Sequence, residues 1–161
     1  MTEGDPLKGK KVLIVDDEPD VLDTVEELLE MCETSKAASF EAAKNLLESR
    51  SFDIAILDIM GVDGFKLLDI ANEKKILAVM LTANAFTPEN TVKSFKKGAA
   101  YFVPKEKIVN IVTYLNDILE VAQEGKAFWS RWLERLSGYY KEKFGSTWMD
   151  KDKGFWKDLK K

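Results

Sequence analysis

The chain has 161 residues, 45% hydrophobic and 32% charged, with 28 acidic against 24 basic side chains and a net charge of −4. That leaves room for one compact domain of about 120 residues and a small appendage. A single cysteine, Cys32, and no histidine exclude an internal disulfide, thiolate or imidazole metal sites, imidazole-based triads and a phosphohistidine of the chain's own.

Charge changes sign along the chain. Residues 1–125 hold 14 basic and 23 acidic side chains, a net of −9, whereas residues 126–161 hold 10 and 5, a net of +5. Two modules are expected, 1–125 and 126–161. No apolar run reaches the roughly 20 residues needed to cross a bilayer, and Met1 to Lys11 is polar where a signal peptide would be apolar. A cytoplasmic location is expected.

In chain order, Lys11–Val15 forms the first strand-length apolar run, and Pro19 suits the first turn of a helix carrying Val21, Val25, Leu28 and Leu29. A weak strand near Glu33–Ala38 fits a sheet edge. Ser39 is a candidate N-cap for Phe40–Arg50, whose Phe40, Ala43, Leu46 and Leu47 share a face. Asp53–Leu57 is the next strand, followed by a helix from Gly64 with Phe65, Leu67, Leu68 and Ile70. Ile76–Leu81 is another strand, Pro88 opens a helix that Gly98 ends, and Ala100–Val103 is the last strand. The strong runs are apolar on both faces, as in a parallel sheet covered by helices on both sides. The expected fold class is α/β, a doubly wound (βα)5 three-layer sandwich with a five-stranded parallel sheet and a C-terminal helical extension. Such a fold puts its ligand site at the carboxyl ends of the strands.

Polar residues collect at those ends: Asp16, Asp17 and Glu18 after the first strand, Asp58 after the third, Thr82 after the fourth and Lys105 after the fifth. An acidic pair alone is weak evidence, since charged residues routinely begin loops. Four strand ends supplying Asp-Asp, Asp, Thr and Lys in this order are far more specific.

These residues, in VLIVDDEPD, in ILDIM around Asp58, in MLTA around Thr82 and in GAAYFVPK ending at Lys105, resemble the receiver domains of response regulators over about residues 8–124. The resemblance implies a phosphorylation switch, not an enzyme with turnover. Asp58 would be the phosphoacceptor, forming an acyl phosphate. Magnesium would be held by Asp17, Asp58 and the main-chain carbonyl of Met60, with Asp16 acting through water. Lys105 would bind one phosphate oxygen and the Thr82 hydroxyl another, and the movement of Thr82, with Phe102 turning inward behind it, would be the switch. The donor would be a sensor histidine kinase or phosphotransfer protein, and the output would be protein contact. Two features depart from the family pattern. The loop Asp58-Ile-Met-Gly-Val-Asp-Gly64 is short and lacks proline, and Pro104 precedes Lys105 where the family favours a proline after it.

In the tail, Phe128, Trp129, Trp132, Leu133, Leu136, Tyr139, Tyr140 and Phe144 make an aromatic stripe at helical spacing. Thr147-x-x-Asp150 resembles a capping box ahead of Trp148, Phe155 and Leu159. The preceding apolar seam, Ile108, Val112, Leu115, Leu119 and Ala122, continues in register to Trp129, Leu133, Leu136 and Tyr140. Either Gly125 ends that helix and the tail folds back, or one long helix runs on at a cost of about 1 kcal/mol for the glycine. So many aromatics must be buried: on the receiver, in a homodimer, against another protein through Trp129, Trp132, Leu136 and Tyr140, or, least favoured, at a membrane surface. Nucleic acid is not expected, because 36 residues are too few for the usual output domains.

Two rivals share parts of this pattern. A haloacid-dehalogenase-like phosphatase also uses aspartyl phosphate, magnesium, Thr and Lys, but places its nucleophile after the first strand and its acidic pair last. A pseudo-receiver would keep the fold and serve only as an interaction module.

Overall fold

The computed structural model describes residues 5–124 and 128–159, excluding the side chains of 124, 128, 129, 151 and 157–159. Five strands, β1 (Lys11–Val15), β2 (Glu33–Ala37), β3 (Ile54–Asp58), β4 (Leu77–Thr82) and β5 (Tyr101–Pro104), form one parallel sheet in the order β2-β1-β3-β4-β5. Between them run α1 (Pro19–Leu28), α2 (Phe40–Ser49), α3 (Gly64–Glu73) and α4 (Pro88–Lys96). A 3-10 turn over Lys105–Asn110 leads into α5 (Ile111–Glu124).

The first crossover moves one way along the sheet and the next three move the other way. Right-handed connections therefore put α1 on one face and α2, α3 and α4 on the opposite one. The reversal leaves a crevice at the carboxyl ends of β1 and β3. The three central strands are almost wholly buried, which explains their lack of polar alternation. Edge strand β2 is partly exposed, matching its weak pattern.

Local signals behave as their chemistry requires. The Ser39 hydroxyl accepts from the Ala42 amide and Thr87 does the same for Asn90, capping α2 and α4. Pro19 and Pro88 occupy first turns. Strands β3, β4 and β5 each sit one residue later than their apolar runs suggest, so Asp58 and Thr82 are the last residues of strands and not the first of loops.

After α5 the chain forms α6 (Phe128–Phe144), a 3-10 turn at Asp150–Asp152 and α7 (Lys153–Leu159). The helix expected to open at Thr147-x-x-Asp150 begins at Lys153 instead, and Thr147 accepts the Asp150 amide through its backbone carbonyl. Gly125 and Lys126, where the module boundary and helix break were placed, lie outside the described residues, as do the side chains of Trp129 and Leu159. The tail folds back: α6 lies against α5 and against β5, the edge strand opposite β2. Trp132, Leu136 and Tyr140 are fully buried in the same core as the sheet, so the surface contact expected of them is made within this chain.

That packing answers a backbone problem. An edge strand leaves main-chain groups without a ladder partner. The Trp132 indole Nε1–H donates to the Phe102 carbonyl of β5 at 2.7 Å, so the extension covers the sheet edge and satisfies part of it.

Candidate functional site

The site forms at the crevice because three strands end there with side chains that cannot reach bulk water. Asp16 follows β1 and has no solvent exposure, while Asp58 ends β3 at 3% exposure and Thr82 ends β4 at 1%. Lys105 follows β5, and its ammonium lies 3.0 Å from Asp16 Oδ2, 3.6 Å from Asp58 Oδ2 and 2.7 Å from Glu18 Oε1. Three strand ends distant in sequence, those of β1, β3 and β5, thus share one cluster, and Thr82 ends the neighbouring β4. All described peptide bonds are trans, and Lys105 reaches the site with Pro104 before it.

Burial of carboxylates without enough positive charge is costly. Asp58 shows it: burial, then the Asp16 charge, push its carboxyl up to about 7, against the opposing pull of Lys105. For Lys105, burial alone would favour the neutral amine. The hydrogen bond to Glu18, the close approach to Asp16 and the charges of Asp58 and Asp16 more than offset it, holding the ammonium above its ordinary value. Asp16 Oδ1 accepts the Glu18 amide at 2.9 Å. Asp16 Oδ2 is fully buried and finds no hydrogen-bond donor of good geometry, even with Lys105 at ion-pair distance. The crevice holds more negative charge than one lysine neutralises.

Its walls include Asp17, Glu18, Asp58, Met60, Gly61, Ala83, Asn84 and Lys105, around a cavity of about 240 Å³. Among the described residues, Asp16, Asp17 and Glu18 present carboxylate oxygens within 4.8 Å of one another. That trio differs from the expected Asp16, Asp17 and Asp58. Glu18 was recognised as acidic but not as the closest partner of Lys105. The Met60 side chain is 54% exposed, which agrees with any contribution coming from its main chain.

The short loop after Asp58 closes by two glycines. Gly61 has φ +85°, and a Cβ there would come 2.4 Å from Asp17 Oδ2, so the missing side chain keeps room for the Asp17 carboxylate. At Gly64 a Cβ would lie 2.1 Å from the Asp58 carbonyl oxygen and 2.8 Å from Ile59 Cα, so α3 starts hard against the Asp58 backbone. Asp63 bends into the left-handed region at φ 56° just before it, while Ile59 and Val62 are buried beneath.

Thr82 and Phe102 link the site to the extension. The Thr82 hydroxyl accepts the Ala85 amide at 2.9 Å. The next residue, Phe86, packs its ring against Phe102, Tyr139, Tyr140 and Phe144 at centroid distances of 6.4, 5.6, 5.1 and 5.0 Å. Phe102 is already fully buried, so the inward turn expected of it would begin from a core position. On α5, the buried Asp117 carboxylate accepts from Tyr101 Oη, Arg135 Nε and Arg135 Nη2 at 3.1, 3.0 and 3.2 Å, with Arg131 Nη1 at 3.4 Å. Burial and the Asp117 carboxylate hold the Tyr101 phenol far above its ordinary value. Asp117, Arg131, Arg135, Phe86 and Thr91 escaped the sequence reading. The available signal was an acid inside the apolar pattern of α5 and two arginines one turn apart on α6.

The chain was compared with known proteins. A family model described as the response regulator receiver domain matches residues 12–116. The two-component response regulator ARR18 of Arabidopsis thaliana is 35% identical over 103 residues, covering 60% of this chain and 16% of that protein. The rice (Oryza sativa subsp. indica) response regulator ORR22 is 36% identical over 104 residues, 60% of this chain and 15% of that one. The chain therefore spans about a sixth of the length of these relatives. Among solved structures, a CheY-like receiver domain protein from Methanospirillum hungatei aligns with a TM-score of 0.64 at 26% identity, over 72% of this chain and 98% of that one. The receiver domain of NtrX from Brucella abortus gives 0.61 at 29% identity, over 68% and 98%. In both, the match covers nearly all of the solved domain and less than three quarters of this chain.

Proposed function

Because the chain belongs to the response regulator receiver domain family across residues 12–116, we propose that Asp58 accepts a phosphoryl group and that the modified domain signals through protein contacts. The observation that carries this reading is the lysine cluster: Lys105 lies within 4 Å of carboxylates from the ends of β1 and β3, in a crevice with excess negative charge. A phosphoryl group could not approach such carboxylates without further positive charge.

The residues fit a hard divalent cation. Their donors are all oxygen, histidine is absent, Asp16 Oδ2 has the Lys105 ion pair but no hydrogen bond, and Gly61 leaves space at the Asp17 carboxylate. Asp17, Asp58 and the Met60 carbonyl would hold magnesium directly, with Asp16 acting through water. When bound, magnesium supplies positive charge to the attacking carboxylate and the phosphoryl oxygens.

The phosphorus–nitrogen bond of a donor phosphohistidine breaks as an Asp58 carboxylate oxygen bonds to phosphorus, and the histidine departs with the electron pair. These 161 residues hold no histidine, so the phosphohistidine lies outside them, on a histidine kinase or phosphotransfer domain. Lys105 exchanges its contacts with Glu18 and Asp16 for a phosphoryl oxygen, and Thr82 turns its hydroxyl to another. Receiver domains are signalling switches, so self-phosphorylation and self-dephosphorylation are the only chemistry proposed. A cytoplasmic location accords with the absence, among the described residues, of a helix long and apolar enough to cross a membrane.

Acetyl phosphate with magnesium tests the assignment by intact mass. One phosphoryl increment on the native chain and none on Asp58→Asn is expected, and equal labelling of the variant would overturn it.

A further inference from the structure

The extension is fastened at places of different character, one of them Trp132, buried against β5 and bonded to the Phe102 carbonyl. Near the start of α6, Arg131 and Arg135 hold Asp117 on α5, and Arg131 also reaches Glu120 at 2.7 Å. Further along, the contacts fall on the segment that follows Thr82. Tyr139, Tyr140 and Phe144 surround Phe86, and the Tyr140 hydroxyl is hydrogen-bonded to Thr91 on α4. Trp148 then packs on Tyr140, and Trp156 on Trp148, with centroids 4.7 and 5.2 Å apart. A hydrogen bond from the Ala85 N–H to the Thr82 hydroxyl ties the start of that segment to the end of β4.

From this arrangement we infer that the phosphorylation state of Asp58 controls the docking of residues 139–156, while the Asp117 anchor holds the beginning of α6 in both states. The inference rests on the phosphoacceptor role proposed above. A Thr82 hydroxyl drawn toward a phosphoryl oxygen on Asp58 turns away from Ala85. The Ala85 amide, buried with its residue, then lacks its acceptor, and the backbone at Ala85 and Phe86 must shift to find another. Phe86 is wedged among four rings, so a shift there loosens Tyr139, Tyr140 and Phe144 together. Trp148 and Trp156, which also pack on Trp132 at 6.3 and 5.9 Å, lose the Tyr140 side of their support with them. Packed clusters of this kind change between discrete arrangements and do not deform smoothly.

The arrangement that reacts is the undocked one, so the labelling rate scales with its population. Docked α6 holds Phe86, the loop and the Thr82 hydroxyl in the unmodified arrangement, and so opposes phosphorylation. Weakening the docking without touching the crevice should hasten labelling of Asp58. A purely structural cover would not alter that rate.

The test is hydrogen exchange of the full chain by mass spectrometry, with and without acetyl phosphate and magnesium, alongside the labelling rate from intact mass. Labelled protein should show faster exchange across residues 139–156 and little change across 130–136, and Asp58→Asn should show no difference under the same treatment. Tyr140→Phe and Phe86→Leu should exchange faster before donor is added and should label faster than the native chain, in proportion to their larger undocked population. Full labelling of Asp58 with unchanged exchange over 139–156 would overturn the inference and leave the phosphoacceptor assignment standing. Unaltered labelling rates in two folded variants whose α6 exchanges faster would overturn it also. No labelling at all would remove both readings.

Discussion

Lys105→Ala deletes the cation that binds three carboxylates, two of them buried. Removing one partner of a buried ion pair costs about 3–5 kcal/mol because the other charge is left uncompensated. Here the Lys105 side chain keeps 14% exposure and that of Glu18 keeps 60%, so solvent takes up part of the loss and we expect about 2 kcal/mol at pH 8 without magnesium. Lower pH should shrink it. Asp58 is already raised from 3.8 to about 7, chiefly by burial, and Lys105 is one of the groups holding it down, so the variant raises it further. A carboxyl with a raised folded-state value keeps its proton in the fold at pH values where the unfolded chain has lost it. Its stabilising effect is complete below the unfolded value of 3.8 and is lost as pH rises through the folded one. At pH 6 Asp58 is therefore neutral in the variant, and the loss should shrink by about 1 kcal/mol, the share owed to buried Asp16 remaining. Urea unfolding of both proteins at pH 6 and pH 8 with a chelator present measures the difference. An equal loss at the two pH values, or a variant more stable at pH 8, would refute the charge argument.

Gly64→Ala should destabilise the fold by more than about 2 kcal/mol and slow labelling, because the new methyl meets the immobile Asp58 carbonyl. An unfolding midpoint within error of the native one would contradict this. Trp132→Phe should cost about 1–3 kcal/mol by leaving the buried Phe102 carbonyl without its donor, whereas Tyr139→Phe, whose hydroxyl donates to exposed Glu106, should cost under about 1 kcal/mol. Chemical denaturation would reject the pairing if the two losses were equal. Magnesium binding should release a proton and weaken below pH 7, about tenfold per unit, because Asp58 must first be deprotonated. Calorimetric titration at pH 6 in two buffers of different ionisation enthalpy checks this, and identical heats would contradict it.

Much of the receiver layer was legible because its signals are local or periodic. Short runs apolar on both faces have few uses other than a covered parallel sheet, and the helix starts at Pro19, Ser39 and Pro88 carry their own chemistry. Asp16, Asp58, Thr82 and Lys105 were legible together, since a parallel sheet with right-handed crossovers must bring successive strand ends to one edge. The one-residue offset of β3, β4 and β5 arose because strand pairing follows register with neighbours and not the hydrophobicity of the run.

The crevice also held details the sequence left unordered. Glu18 and Asp58 were both visible as acids, but only the fold makes Glu18 the nearest partner of Lys105 and lifts the Asp58 carboxyl to about 7. Both follow from distance and desolvation, which no spacing rule encodes. Gly64 read as a helix start, and its closer duty, standing against the Asp58 carbonyl, appears only when the short loop is folded.

The extension divides most sharply. Amino-acid sequence alone determined that its aromatic stripe had to be buried, because exposed apolar area on that scale is unfavourable wherever it points. It could not choose among the receiver, a second copy and a partner, since a helical stripe carries no address. Tertiary structure decided that choice through unmet needs that exist only after the sheet is built: the edge carbonyl of Phe102, the buried carboxylate of Asp117 and the Phe86 ring behind Thr82. Trp132, the Arg131–Arg135 pair and Tyr139, Tyr140 and Phe144 meet them in turn.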